Sequence, residues 1–162
     1  MRDREVRELL AGLDLQIGAT QRAMVRTGIV RECADCAVNG GGTCCGVRTG
    51  HKCGNILLLV NLLLGRILPL EQADVHLCHF LTKQGCALRA RHVICVNFVC
   101  RRLTDVLSHD SLCDVQRIAG GEIDTLFTLE ECIKKKIGVA ALIMAQEQWD
   151  EKVMRNARRL PG

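Results

Sequence analysis

The residues of this chain that could do chemistry are its thiols. Nine of 11 cysteines lie between residues 33 and 100: Cys33-x2-Cys36, Cys44-Cys45, Cys53, Cys78, Cys86, Cys95 and Cys100. As thiolates they are metal ligands. The C-x2-C step lets a tight turn aim two sulfurs at one ion. Thiolate-only ligation suits zinc or an iron–sulfur cluster. Zinc sites often use two such steps, whereas here there is one and the other spacings are irregular. Ligands drawn from separated segments fit an iron–sulfur cluster, which is the expected cofactor; zinc is the alternative, and disulfides or free thiols the remaining reading. Eight ligands, Cys33, Cys36, Cys44, Cys45, Cys78, Cys86, Cys95 and Cys100, would make two four-cysteine sites, or one cluster with spare thiols. Successive side chains point opposite ways on extended backbone. Of Cys44 and Cys45, one should then ligate while the other serves a second site or packs inertly.

The neighbouring groups carry weaker signals. His76 and His79 flank Cys78 and could complete a mixed site, although surface or hydrogen-bonded roles are the commoner ones. His51 and His92 read similarly, and His109 reads as loop. Arg91 could offset thiolate charge from behind the ligands. Cys113 and Cys132 sit at apolar helical positions and are expected to pack as small buried hydrophobes. Gly40, Gly41 and Gly42 form a connector, because no Lys-Ser/Thr follows them as a phosphate loop requires. A thioredoxin-type role for Cys33 and Cys36 needs a strand–helix context that is missing from the pattern. Hydrolase chemistry needs one activated thiol beside a histidine base, and no cysteine stands apart.

Composition bounds the partners. The 162 residues are 48% hydrophobic and 25% charged, with a net charge of +4. That suits one domain with a buried core. Three Phe, one Trp and no Tyr leave few stacking platforms, which argues against single-stranded nucleic acid. The mild charge is no nucleic-acid footprint either. The opening MRDREVRELLAGLDLQ is charged and amphipathic, without an apolar signal core. The expected location is therefore the reducing cytoplasm, where clustered cysteines mean metal or redox chemistry. The apolar run Ile56–Leu68 is broken by Asn61, Gly65 and Arg66. It falls short of the roughly 20 residues a membrane span needs, so a buried helix is expected and no membrane partner. An unidentified protein partner stays open.

The elements that must position the thiols read as mainly α, with helices bracketing a loop-rich, metal-organised cysteine region. Val6, Leu9, Leu10, Leu13, Ile17, Met24 and Val25 recur at helical steps, which predicts one helix over the first 31 residues. Residues 32–102 form the cysteine-cluster region, with a buried helix over Ile56–Leu68 and a short helical turn from Pro69. Residues 103–160 form the C-terminal helices. Asp110 or Ser111 would cap the first, Gly120-Gly121 would interrupt it, and Glu122–Lys136 and Val139–Arg158 would follow. Residues 1–162 are expected to form a single domain. Irregular backbone costs about 1–2 kcal/mol of entropy per ordered residue, which a bound metal can offset.

CADC, TCC and CHFLTKQGCALRARHVICVNFVC together resemble the CxxCxxCC cysteine-cluster family, described as zinc- or iron-chelating proteins. The resemblance covers about residues 33–101, and its second half is the more specific: Cys78, Phe80, Leu81, Gly85, Cys86, Arg91, Cys95, Phe98 and Cys100 fall on the family pattern. Five extra residues separate Cys36 from Cys44. Arg89 stands where the family often has Tyr, His92 and Val99 replace Pro, and Val96 replaces Arg. No cysteine is lost, and Cys53 is additional. The resemblance implies iron or zinc without choosing between them. The same domain occurs in a flagellin lysine N-methylase, so it also allows an accessory part of a methyltransferase-like enzyme. No glycine-rich nucleotide motif follows a strand here, and no methyl-donor site is assigned. The leading expectation is a metal-binding protein whose cluster is structural, redox-active or sensing. A structural zinc module for protein–protein contacts is the alternative.

Overall fold

The computed structural model describes residues 3–39, 44–138, 141, 144, 146–149 and 151. Among them are seven helices and one two-stranded hairpin, so the chain is mainly helical as expected. Asp3 caps α1 (Arg4–Arg26), its carboxylate accepting from the Val6 N–H at 3.1 Å. The longest helix, α7 (His109–Ile137), is capped by Ser108, which accepts from the Ser111 N–H at 3.2 Å. The cap thus lies two residues before Asp110 and three before Ser111, the caps expected.

These two helices form the frame. On α7 the buried positions include Leu112, Val115, Ala119, Glu122, Leu126, Leu129 and Ile133. On α1 they include Val6, Leu13, Ile17, Thr20 and Met24. Both follow alternating three- and four-residue steps, the seam of a coiled-coil-like pair. The pair is antiparallel. Lys136 at the end of α7 bridges Asp3 at 2.7 Å and Glu5 at 3.1 Å at the start of α1.

The expected single N-terminal helix is two helices. Gly28, at φ 84°, breaks the chain after α1, a conformation that only glycine adopts without strain. The chain then resumes as α2 (Ile29–Asn39). The expected break at Gly120-Gly121 is absent, since α7 runs straight through it. A Cβ on Gly121 would stand 2.8 Å from Gln16 Oε1, so this glycine lets the Gln16 side chain lie close against α7. No helical turn starts at Pro69; residues 69–74 are bends and coil. The predicted helix over Val139–Arg158 lies largely outside the described residues.

Between the frame helices come α3 (Val47–Gly50), α4 (Asn55–Leu63), β1 (Leu81–Thr82), β2 (Gly85–Cys86), α5 (Val93–Asn97) and α6 (Arg101–Val106). The strands pair antiparallel, Leu81 with Cys86 and Thr82 with Gly85. The predicted buried helix is α4, ending earlier than its apolar run, and Ile56, Leu57, Leu58 and Val60 enter the larger core. A smaller core gathers Ala23, Met24, Ile29, Val96, Leu103, Leu112, Val115 and Ala119. No helix among the described residues is long and apolar enough to cross a membrane.

Candidate metal centre

The C-x2-C pair does not sit in a turn. Cys33 and Cys36 lie on α2, where three residues' separation puts both on one face. An ion-pair triangle ties α2 to α6. Arg102 donates from Nε and Nη2 to Glu32 Oε2 at 3.2 and 3.1 Å, and from Nη2 to Asp35 Oδ2. Cys100 is the N-cap residue of α6; its carbonyl accepts from the N–H groups of Leu103 and Thr104. The triangle therefore holds Cys100 beside the α2 pair.

The adjacent cysteines lie in a turn rather than on extended backbone. Thr49 Oγ1 donates to the Cys44 carbonyl at 2.6 Å. The Cys78 N–H donates to the Cys45 carbonyl at 2.7 Å, and Gly46 pairs with Leu77. Cys45 and Cys78 are thereby placed side by side. Cys78 Sγ packs against Gly50, 3.5 Å from where a Cβ would be. Cys53, Cys78 and the half-buried Cys45 share the larger core with Phe80. Cys86 ends β2, and Cys95 lies on α5 with its N–H on the His92 carbonyl at 2.7 Å.

The electrostatics divide these thiols into two neighbouring groups. Partial withdrawal from water, then the charges that Cys44, Cys100 and Cys36 would carry, hold the Cys33 thiol above its ordinary range, with Arg91 opposing. Burial, then Cys95, Cys78 and Cys86, push the Cys53 thiol up to about 12. Burial and Cys86 raise Cys95 to about 11, again opposed by Arg91. The turn joins the groups. Hydrogen bonding from the Cys45 thiol lowers Cys44 to about 6, and the same contact raises Cys45, which also feels Cys95 and Cys78. Cys44 thus acts on Cys33 and also on Cys95, while Cys45 feels Cys95 and Cys78, so the turn stands between the two groups. The two turn thiols are themselves hydrogen-bonded to one another.

All 11 cysteines are unpaired. As the side chains stand, no three His, Cys, Asp or Glu groups among the described residues form a set that could hold a metal ion. The thiols are gathered and aimed but not closed around a point. Their chemistry still fits a soft cation. Each thiol in the second group, Cys45, Cys53, Cys78, Cys86 and Cys95, is raised by burial, and all but Cys78 by neighbouring thiols as well; a cation would relieve both effects as it displaced the protons.

The histidines are engaged elsewhere. His79 Nε2 lies 2.8 Å from the Pro69 carbonyl, and its ring meets Phe80 and Trp149 edge-on. His92 Nδ1 accepts from the Ile94 N–H and caps α5. His76 is exposed, its own N–H on Asp74. Cys132 is buried as expected. Cys113, expected buried, is exposed, with its sulfur 3.4 Å from His109 Nε2.

Three residues take parts in the centre that the sequence reading did not assign to them. Cys53 is buried within the second group. Arg102 fastens α6 to α2. Asn61, fully buried on α4, donates from Nδ2 to the Leu57 and Ala90 carbonyls at 2.8 and 2.9 Å. Its Oδ1 accepts from the Arg89 and Ala90 N–H groups at 2.7 and 3.1 Å. Asn61 thus fixes the backbone between Cys86 and Arg91. The signal was present in the sequence as one amide in an aliphatic run, which burial obliges to find partners.

No family model matches the chain, and no curated protein or solved structure matches it either.

Proposed function

We propose that this chain is a metal-binding protein whose thiolates, from the region spanning Cys33 to Cys100, hold an iron–sulfur cluster. One observation carries the reading. Nine unpaired thiols are delivered by α2, the 44–45 turn, the segments around Cys53 and Cys78, β2, α5 and α6 as mutual neighbours, with Arg91 acting on Cys33, Cys86 and Cys95. Packing alone gives no reason to crowd thiols that suppress one another's ionisation. The resemblance of residues 33–101 to the cysteine-cluster proteins points the same way.

In this reading Cys33, Cys36, Cys44 and Cys100 form one ligand set. Cys45, Cys78, Cys86 and Cys95 form the other, with Cys53 as a fifth thiol beside it. The centre serves a structural, electron-transfer or sensing role in a reducing compartment. Zinc is the second reading, favoured by the number of thiols carried by α2, the 44–45 turn and the start of α6, since zinc takes four thiolates tetrahedrally.

Cys44→Ser and Cys95→Ser, one in each group, test the proposal on anaerobically purified protein. Each should lower bound metal, while Cys132→Ser should not. Unchanged metal content in both, with folding intact, would remove the metal-site argument.

A further inference from the structure

We propose that the groove between the C-terminal half of α1 and Arg89 is a binding site for a phosphomonoester, a small molecule whose phosphate is held by three arginines. The groove, of about 460 Å³, is lined by Gly18, Gln21, Arg22, Val25, Arg26 and Arg89. That volume falls in the range of small-ligand sites. No described thiol lines it.

Its cations are arranged unlike those on the other helices. Arg4 pairs with Glu8, Arg101 with Asp105, Arg117 with Asp114 and Lys134 with Glu131, each three or four residues away. Arg22 and Arg26 have each other at that spacing and no acid: their other neighbours there are Gly18, Ala19, Ala23, Val25, Ile29 and Val30. Like charges so spaced oppose the helix. The helix C-terminus favours Arg26, but Arg22 lies a turn too far in to share that effect. Neither makes an ion pair among the described residues.

Gly18 shapes the floor. Glycine inside a helix is unfavourable relative to alanine, and here it makes room: a Cβ on it would stand 3.2 Å from Arg22 Nη1. The Arg22 guanidinium thus lies back along α1, over Gly18. Arg89 is the fixed member. Its Nε donates to Asp14 Oδ1 at 2.8 Å and its Nη1 to Gln21 Oε1 at 2.6 Å, while its backbone N–H is held by Asn61. Its Nη2 has no acceptor among the described residues.

Three guanidinium charges less the Asp14 carboxylate leave two positive charges at the groove. That complements a phosphomonoester, which carries about −1.5 to −2 at neutral pH. A guanidinium fork takes phosphate oxygens two at a time, and a carboxylate has too few oxygens for three forks. Val25, 64% exposed, is an apolar wall for the body that the phosphate carries.

The test titrates the full, anaerobically purified chain at low ionic strength with phenyl phosphate, inorganic phosphate and phenyl sulfate by calorimetry. Phenyl phosphate should bind saturably at one site. Inorganic phosphate should bind more weakly because it leaves Val25 uncovered, and phenyl sulfate about tenfold more weakly because it carries a single charge. Arg22→Gln and Arg26→Gln should each weaken phenyl phosphate by about tenfold. Arg7→Gln, which changes an exposed arginine of α1 outside the groove, should cause no comparable loss. Bound phenyl phosphate should also protect Arg22 and Arg26, and not Arg7, from phenylglyoxal in peptide maps. No saturable binding, an equal loss in Arg7→Gln, or phenyl sulfate binding as tightly as phenyl phosphate would overturn the site. Inorganic phosphate binding as tightly as the ester would overturn the ester class.

Discussion

Asn61→Leu removes one side chain and tests how the thiol-bearing segment is held. The replacement keeps the branched skeleton and suits the apolar surroundings of α4, although its methyl groups are bulkier than the amide and any crowding adds to the loss. Three backbone groups lose their partners: the Arg89 N–H, the Ala90 N–H and the Ala90 carbonyl. The Leu57 carbonyl lies within the helix and keeps its backbone bond. An orphaned buried polar group costs about 1–3 kcal/mol. Arg89 is half-buried and belongs at the low end of that range. The sum is about 3–5 kcal/mol, a large share of the roughly 5–15 kcal/mol that holds a domain together. With a urea slope near 2 kcal/mol per molar, the unfolding midpoint should fall by about 1.5–2.5 M. Far-ultraviolet circular dichroism on metal-free protein in reductant would show it. Asn61→Asp is the companion variant. It keeps the acceptor but sets an oxygen against two carbonyls, so it should be weaker at neutral pH and partly recover in acid, where the protonated carboxyl can donate. A loss under about 1 kcal/mol in Asn61→Leu would refute the claim that this amide fixes residues 89–90.

Other outcomes follow from the same structure. In metal-free protein at pH 7, Cys44 should alkylate about tenfold or more faster than Cys53 or Cys95, because only its thiol lies near 6 and thiolate is the reactive form. Peptide mapping across pH should show that lead shrink as pH rises above 7 towards the values of Cys95 and Cys53, while the Cys44 rate itself falls below about pH 6. Glu122→Gln should flatten the pH dependence of stability. The raised Glu122 carboxyl favours the fold fully below the unfolded value and loses that contribution as pH rises through the folded one. A wild-type stability curve with no such fall above the ordinary carboxylate range would contradict it. Arg102→Ala should cost little stability, since the pairs are solvent-screened, yet raise the alkylation of Cys33 and Cys36 by loosening α2 from α6. Unchanged labelling there would mean that the ion pairs do not position the thiols.

How much of this the residues announce depends on where the deciding force lies. The stripe of α1 is legible because burial of one face fixes its period, and α4 because its apolar run is buried nearly all round. The split at Gly28 is not, because a glycine within a helical pattern also fits a continuous helix at about 1 kcal/mol. Gly120-Gly121 is the reverse case. The local propensity argues for a break, and packing along the α1 seam overrides it. The C-x2-C pair misleads in the same way, since its spacing serves a turn and a helical face equally. The grouping of thiols depends on contacts between segments far apart in sequence, and no spacing rule contains those. Glu122 was within reach: the seven-residue pattern from Leu112 to Ile133 puts a carboxyl in the seam, but only if the helix is read through the glycines.

The most direct test of the central claim is metal and acid-labile sulfide analysis, with a visible spectrum, on anaerobically purified protein. The account predicts iron with matching sulfide and a visible absorption that is lost in Cys44→Ser and Cys95→Ser. Zinc without sulfide would replace the cluster by structural zinc. Neither metal, in protein whose thiols are fully reduced and folded, would contradict the account.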